Sequence, residues 1–242
     1  MKQELDFKKG APPLYAQLEK ILRKSIEEGE FVKGDIFPSE KELMEKYGVS
    51  RMTVREAAGK LARDGYILGA RGIGTRVTYE KIDDRMSKVT SLTDEMRKQG
   101  KVLETTFCEI TKKPAPAKIA LEFSITPDTE CYCLTRVRAV DKRPLVYTET
   151  WLKTKESLSL NPAYYMDSLY RYLNKTYGII LTKGVDTLEA VLPDDTVTGF
   201  LKINDTEPVF KRTRRTYQSG SGIFEFTYCY YPGSRYRYTV EY

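Results

Sequence analysis

Apolar residues at Leu14, Leu18, Ile21, Leu22 and Ile26 recur at i, i+4, i+7, i+8 and i+12. That spacing predicts one apolar stripe on a helix, opened by Pro13 and closed by Gly29. A turn at Gly34-Asp35-Ile36-Phe37-Pro38 follows, and then Ser39 with Glu42 three residues on, a capping box for a short helix over 40–46 with Leu43 and Met44 inward. Tyr47-Gly48-Val49 turns the chain into a third helix. There Ser50 is the N-cap candidate, Val54, Ala57, Ala58 and Leu61 repeat at helical spacing, and Gly65 is the stop. Two helices joined by so short a glycine-containing turn predict a helix-turn-helix.

Past Gly65 the period changes. Tyr66-Ile67-Leu68 and Thr75-Arg76-Val77-Thr78-Tyr79 are β-rich and flank Ala70-Arg71-Gly72-Ile73-Gly74, which reads as a hairpin. It is either a plain hairpin or a wing; the preceding helix pair favours the wing. Residues 80–88 are charged without a sustained apolar period and read as a linker. A helix then runs from Thr90-Ser91-Leu92-Thr93 to Gly100, its hydroxyls serving as caps or as an anion seat. Beyond it lies a weak duplication. A short helix near 120–122 and strands over 131–140 and 145–152 form one unit; a helix near 199–201 and strands over 208–217 and 223–231 repeat that order. A helix led by Asp167-Ser168-Leu169 and ending before Gly178 lies between them, and a last strand carries Tyr236, Tyr238 and Val240 on one face. The expectation is an α+β fold in two domains, 1–78 and 89–242, with 79–88 as linker.

Charge sharpens this picture. The net charge of +6 is modest, but residues 51–76 carry Arg51, Arg55, Lys60, Arg63, Arg71 and Arg76 against only Glu56 and Asp64. Ser50, Arg51, Thr53 and Arg55 crowd the first turn of the third helix, where free backbone N–H groups and a partial positive charge also lie. Such an end suits phosphate oxygens and the O6/N7 edge of guanine, so the helix reads as a DNA recognition helix. The wing glycines allow close approach to a sugar-phosphate strand, and Arg71 adds charge. In the strand over 132–140, alternation sends Arg136 and Arg138 to one face with Leu134. A bound anion, a neighbouring Glu or water could separate the two guanidiniums.

Composition excludes several classes. With 40% hydrophobic and 31% charged residues the chain looks like an ordinary soluble protein. No apolar run approaches the roughly 18 residues of a membrane span, and the start lacks a signal peptide's apolar segment, so a cytoplasmic protein is expected. The chain has no His, and Cys108, Cys131, Cys133 and Cys229 lack paired spacing; neither a metal site, a cofactor nor His-based catalysis is expected.

Several ordered blocks then carry a family resemblance. Pro38-Ser39-Glu40-Lys41-Glu42-Leu43, Tyr47-Gly48-Val49-Ser50-Arg51-Met52-Thr53-Val54-Arg55-Glu56-Ala57, Leu61-Ala62-Arg63-Asp64-Gly65-Tyr66-Ile67 and Arg71-Gly72-Ile73-Gly74-Thr75 resemble the winged helix-turn-helix of GntR-family bacterial transcription regulators. The resemblance implies a homodimer on inverted-repeat, double-stranded operator DNA, with Ser39, Lys41, Ser50, Arg51, Thr53, Arg55, Arg71, Gly72 and Gly74 at the nucleic acid. Lys41 stands where relatives usually carry Arg, and is a point charge better suited to phosphate than to a base edge. Ile73 replaces a basic wing-tip residue, and Arg76 an aromatic one.

The second half resembles the UTRA effector-binding domain of the HutC subfamily, an antiparallel-sheet domain of chorismate-lyase-like type. The resemblance lies in Thr90-Ser91-Leu92-Thr93, Leu134-Thr135-Arg136-Val137-Arg138, Pro144-Leu145-Val146-Tyr147, Ser168-Leu169-Tyr170, Phe224-Glu225-Phe226 and Tyr231-Pro232-Gly233-Ser234-Arg235-Tyr236. It implies a small effector, often a sugar phosphate. Thr90, Ser91, Arg136, Arg138 and Ser168 would surround its acidic group, Glu225 would accept from hydroxyls or an amine, and Tyr231 would cover it. Thr148 stands where an acidic residue is common, with Glu149 next to it; alternation turns Thr148 to the pocket. The expected function is a metabolite-responsive repressor. The competing class is an enzyme acting on a small acidic metabolite with Glu225 as base, which a shared fold alone does not establish.

Overall fold

The computed structural model describes residues 5–8, 10–70, 74–80, 82–84, 91–218 and 222–239. Arg71, Gly72, Ile73 and Val240, residues 85–90, which take in Thr90 and the end of the expected linker 79–88, and residues 219–221 lie outside the described residues. Two compact units emerge, Met1–Lys81 and Ile82–Tyr242.

In the first unit, helices α1 (Leu14–Glu27), α2 (Glu40–Tyr47) and α3 (Arg51–Arg63) precede strands β1 (Ile67–Ala70) and β2 (Gly74–Val77). The capping box at Ser39 and Glu42 is present, and the two hydrogen bonds from Ser39 hold the Glu42 carboxyl below its usual range. Gly48 ends α2 in the left-handed region at φ 65°, where a side chain would clash with its own backbone. The apolar stripes of all three helices meet at Leu18, Leu22, Ile26, Leu43, Val54, Ala57 and Leu61, with Tyr66, Ile67 and Val77 closing the core from the hairpin. The two strands pair antiparallel with Ile67 opposite Val77 and Ala70 opposite Gly74. Residues 34–37 run along β2 through Gly34 N–H to Val77 O and Phe37 N–H to Thr75 O, so the stem of the hairpin is braced on its second side.

The second unit is built on a six-stranded sheet ordered β4-β5-β6-β9-β8-β7, every neighbouring pair antiparallel. The strands are β4 (Glu104–Pro114), β5 (Glu130–Val140), β6 (Arg143–Leu152), β7 (Leu181–Val191), β8 (Val209–Gln218) and β9 (Ile223–Pro232). Helices α5 (Ala117–Phe123) and α7 (Asp195–Leu201) pack on one face through Ile119, Phe123, Trp151 and Phe226 and through Val197, Leu201, Val137 and Tyr147. Helices α4 (Leu92–Lys98) and α6 (Leu169–Tyr177) cover the other, through Leu92, Met96, Val146 and Cys229 and through Leu169, Leu173, Leu134 and Phe224. The duplication seen in the sequence is larger than a helix and hairpin. Each half is a strand, a helix and two further strands, and the halves meet where β6 pairs with β9.

Two differences from the sequence reading have physical causes, one local and one distant in sequence. The helix expected from Thr90 starts at Leu92, because the Ser91 hydroxyl accepts the Asp94 N–H and so occupies the N-cap. Residues 82–84, read as linker, form the short strand β3 (Ile82–Asp84), which pairs in parallel with β10 (Tyr236–Tyr238) near the other end of the chain. A charged tripeptide gives no local signal for a partner 154 positions away, as in the Ile82–Tyr236 pairing.

Candidate functional site

Each unit carries a concentration of polar groups that its own fold does not require. On the first it is the start of α3. Ser50 accepts the Thr53 N–H at 3.2 Å, and its Oγ lies 2.9 Å from Thr53 Oγ1, so the two hydroxyls cap the helix and each other. Arg51 and Arg55 point away from the core with side chains 69% and 68% exposed. Their Nε atoms lie 3.6 and 3.8 Å from the two carboxylate oxygens of Glu40. Pairs this exposed contribute little, so both forks can exchange Glu40 for an outside anion at small cost. Lys41 is solvated beside Glu45, and Gly74 begins β2 at φ 90°. Ser39 is engaged in the capping box with Glu42.

On the second unit, strand register assembles the site. Arg136 lies opposite Thr148, Thr148 opposite Cys229, and Cys229 opposite Arg212, one row across four strands. A second row joins Leu134, Thr150, Thr227 and Arg214. Above these rows is a recess that offers water about 40 Å³. Ser91, Arg136, Arg138, Thr148, Tyr170, Arg212, Arg214 and Glu225 are among the residues that line it. That volume holds about three waters, at 10–15 Å³ apiece.

Its electrostatics are unbalanced. Arg136 donates through Nη1 to the carbonyls of Tyr165 and Asp167, each at 3.1 Å, yet its Nε is buried without a partner. Burial, helped by the charge of Arg138, pushes Arg136 down to about 9. Arg138, lowered chiefly by its burial, makes no hydrogen bond or ion pair among the described residues, and its Nε is likewise orphaned. Arg214 is different. Burial works against its charge, but a bidentate pair with Asp186, 2.8 Å on both arms, more than restores it. Arg212 donates to the Tyr231 hydroxyl at 2.6 Å. Glu225 is buried and held at 2.7 Å by the Tyr170 hydroxyl on one oxygen and by Thr227 Oγ1 on the other. Burial and the neighbouring carboxylate raise Tyr170, which keeps it a donor.

Of the effector residues expected from the sequence, Ser91, Arg136, Arg138, Thr148 and Glu225 line the hollow. Ser168 does not; it caps α6 and donates to Ser91 Oγ at 3.1 Å, so the N-caps of α4 and α6 meet beside the hollow. Tyr231 is not in the lining either. It is fully buried, stacked on Tyr236 at 3.9 Å. Glu149 turns to the opposite face of the sheet and accepts the Trp151 Nε1–H at 2.7 Å. Sequence reasoning missed Arg212 and Arg214, although they repeat on β8 the two-residue spacing of Arg136 and Arg138. It also missed the hydroxyls of Tyr170, Thr150 and Thr227.

Comparison with known proteins adds to this geometry. Residues 14–77 match the family described as bacterial regulatory proteins, gntR family, and residues 98–237 match the UTRA domain. NagR, an HTH-type transcriptional repressor of Bacillus subtilis, is 26% identical over 97% of both chains. The mannosyl-D-glycerate transport/metabolism system repressor MngR of Escherichia coli is 24% identical over 96% of both, and the histidine utilization repressor of Pseudomonas putida is 26% identical over 94% of this chain and 91% of its own. Among solved structures, PhnF of Mycobacterium smegmatis superposes with a TM-score of 0.61 at 26% identity, over 95% of this chain and 99% of that one. The chain belongs to the GntR family of transcription regulators, in the group that carries a UTRA domain. It is a transcriptional repressor of that type, with a DNA-binding head and an effector-binding domain.

Proposed function

We propose that this repressor binds an inverted-repeat operator as a homodimer and is controlled by a small anionic metabolite seated between Arg136, Arg138 and Ser91. Function divides between a head over residues 1–78 and an effector domain from residue 89 onward, joined by 79–88, and the protein acts in the cytoplasm. The observation that carries the reading is the pair of buried guanidiniums, Arg136 and Arg138, which face the hollow with no carboxylate paired to them among the described residues. A buried cation without a counter-charge costs several kcal/mol, and a phosphate or carboxylate entering from solvent offsets that cost. Glu225, at the same recess, suits hydroxyls or an amine on the rest of the ligand. Two relatives are named for mannosyl-D-glycerate and for histidine, compounds that each carry a carboxylate.

In the head, Arg51, Thr53 and Arg55 read base edges while Lys41, Ser39, Ser50 and the wing, with Arg71, Gly72 and Gly74, hold the backbone. The ligand leaves unchanged: both oxygens of Glu225 are already engaged, which argues against a general base, and relatives along the whole chain are regulators.

The test is a thermal-shift screen of sugar phosphates, amino sugars and small carboxylates on the full chain. A compound that binds the folded form raises its melting temperature by mass action. An anionic hit is expected to stabilise the wild type, to leave Arg136→Ala unmoved, and to change operator affinity. Equal shifts in both proteins would sink the anion seat. An operator affinity untouched by every hit would sink the regulatory reading.

A further inference from the structure

The first turn of α3 carries a feature that neither its cap nor its arginines explain. Met52 is 73% exposed, while the buried residues of the same helix are Val54, Ala57 and Leu61. At about 100° per residue, Met52 lies about 170° from the centre of that buried stripe, the outermost position the helix has. Arg55 stands one turn away at i+3, on the adjoining outward face. A large apolar side chain held there in water contributes nothing to the packing of the unit.

We infer that Met52 is a specificity-determining residue that reads thymine through its 5-methyl group. The inference rests on the operator binding proposed above. A helix entering the major groove leads with the face opposite its core stripe, so Met52 reaches the base edges to one side of the forks of Arg51 and Arg55, which both turn toward Glu40. Among the groups displayed in that groove, all but one are hydrogen-bond donors or acceptors; the exception is the methyl of thymine. A thioether can accept only weakly, and its flexible stem adapts to an apolar neighbour. The tip therefore combines two kinds of reader: guanidiniums for guanine and one thioether for thymine.

The test uses the full chain to enrich duplexes from a randomised DNA pool. The best duplex is then remade with deoxyuridine replacing each thymine in turn, a change that removes only the methyl. Wild type is expected to bind about fourfold more weakly when one particular thymine in each half-site is replaced, the loss set by one buried methyl group. Met52→Ala should bind the thymine and deoxyuridine duplexes equally, while Met52→Leu keeps most of the difference. Met52 is solvent-exposed, so both variants should melt as the wild type does, and changes at guanine should cost all three proteins the same. Indifference of the wild type to every thymine replacement, or an unchanged penalty in Met52→Ala, overturns the inference and leaves operator binding standing. A pool that enriches no duplex overturns operator binding and this inference with it.

Discussion

Arg138 is a guanidinium buried on one face of the sheet without a hydrogen bond or ion pair among the described residues, next to Arg136, whose only acceptors among those residues are two carbonyls. Repulsion and desolvation both oppose this arrangement, so it is a liability to the unliganded fold. Replacing buried ionic groups by well-packed apolar side chains of similar volume is often neutral or stabilising by about 1–4 kcal/mol, and Arg138 lacks even the ion pair that such a change usually forfeits. Arg138→Met should accordingly raise the melting temperature of the unliganded protein by a few degrees, at about 2–4 °C per kcal/mol for a chain of this size. It should also abolish stabilisation by the anionic hit. Calorimetry with and without ligand measures both, and a variant that melts lower when empty would show that Arg138 holds the fold together. Alternation along β5 was enough to place Arg136 and Arg138 on one face from the sequence. The same alternation was available in Arg212 and Arg214 but carried no family motif, and Asp186, their neighbour on β7, gave no sign of its pairing until the register was known.

Among the elements, those with local punctuation were legible: α2 by its capping box, α3 by Ser50 and Gly65, α6 by Ser168 and Gly178, and the β1–β2 hairpin by the β-rich flanks of its turn. The edge strands β4 and β7 were not. An edge strand is exposed along most of its length, and Glu104–Pro114 and Leu181–Val191 accordingly mix charged, hydroxyl and apolar residues without strict alternation. Their place is set by β5 and β8, which are distant in sequence. The turn between α2 and α3 offers a test of the punctuation itself. Gly48 sits at φ 65° with nothing within 4 Å of where a Cβ would be, so Gly48→Ala meets backbone strain and no steric clash with neighbours. The expected loss is about 1–2 kcal/mol. Denaturant unfolding followed by a probe in the first unit reads it, and Gly48→Asn, which tolerates the left-handed region better, should recover part of it. Equal losses for the two variants would mean that the backbone angle is not the cause.

At the scale of the whole molecule, the exposed arginines of α3 and the buried arginines of β5 belong to different units, so whatever passes between them is a coupling free energy between two binding equilibria. Such coupling is reciprocal. If a saturating anionic ligand weakens operator binding tenfold, a saturating operator must weaken ligand binding tenfold, whichever path the change takes through the chain. Operator affinity is measured with and without ligand, and ligand affinity with and without operator, all at one salt concentration because phosphate contacts make DNA affinity steeply salt-dependent. Arg136→Ala should bind operator as the wild type does when no ligand is present and fail to respond to it. Arg51→Ala should keep the ligand's affinity and lose about 1–3 kcal/mol of operator binding. The two variants thus break opposite sides of the same cycle. Two coupling factors that differ beyond error would mean that a third equilibrium, such as dissociation of the proposed dimer, is being driven as well, and repeating the cycle over a range of protein concentrations would bring it out.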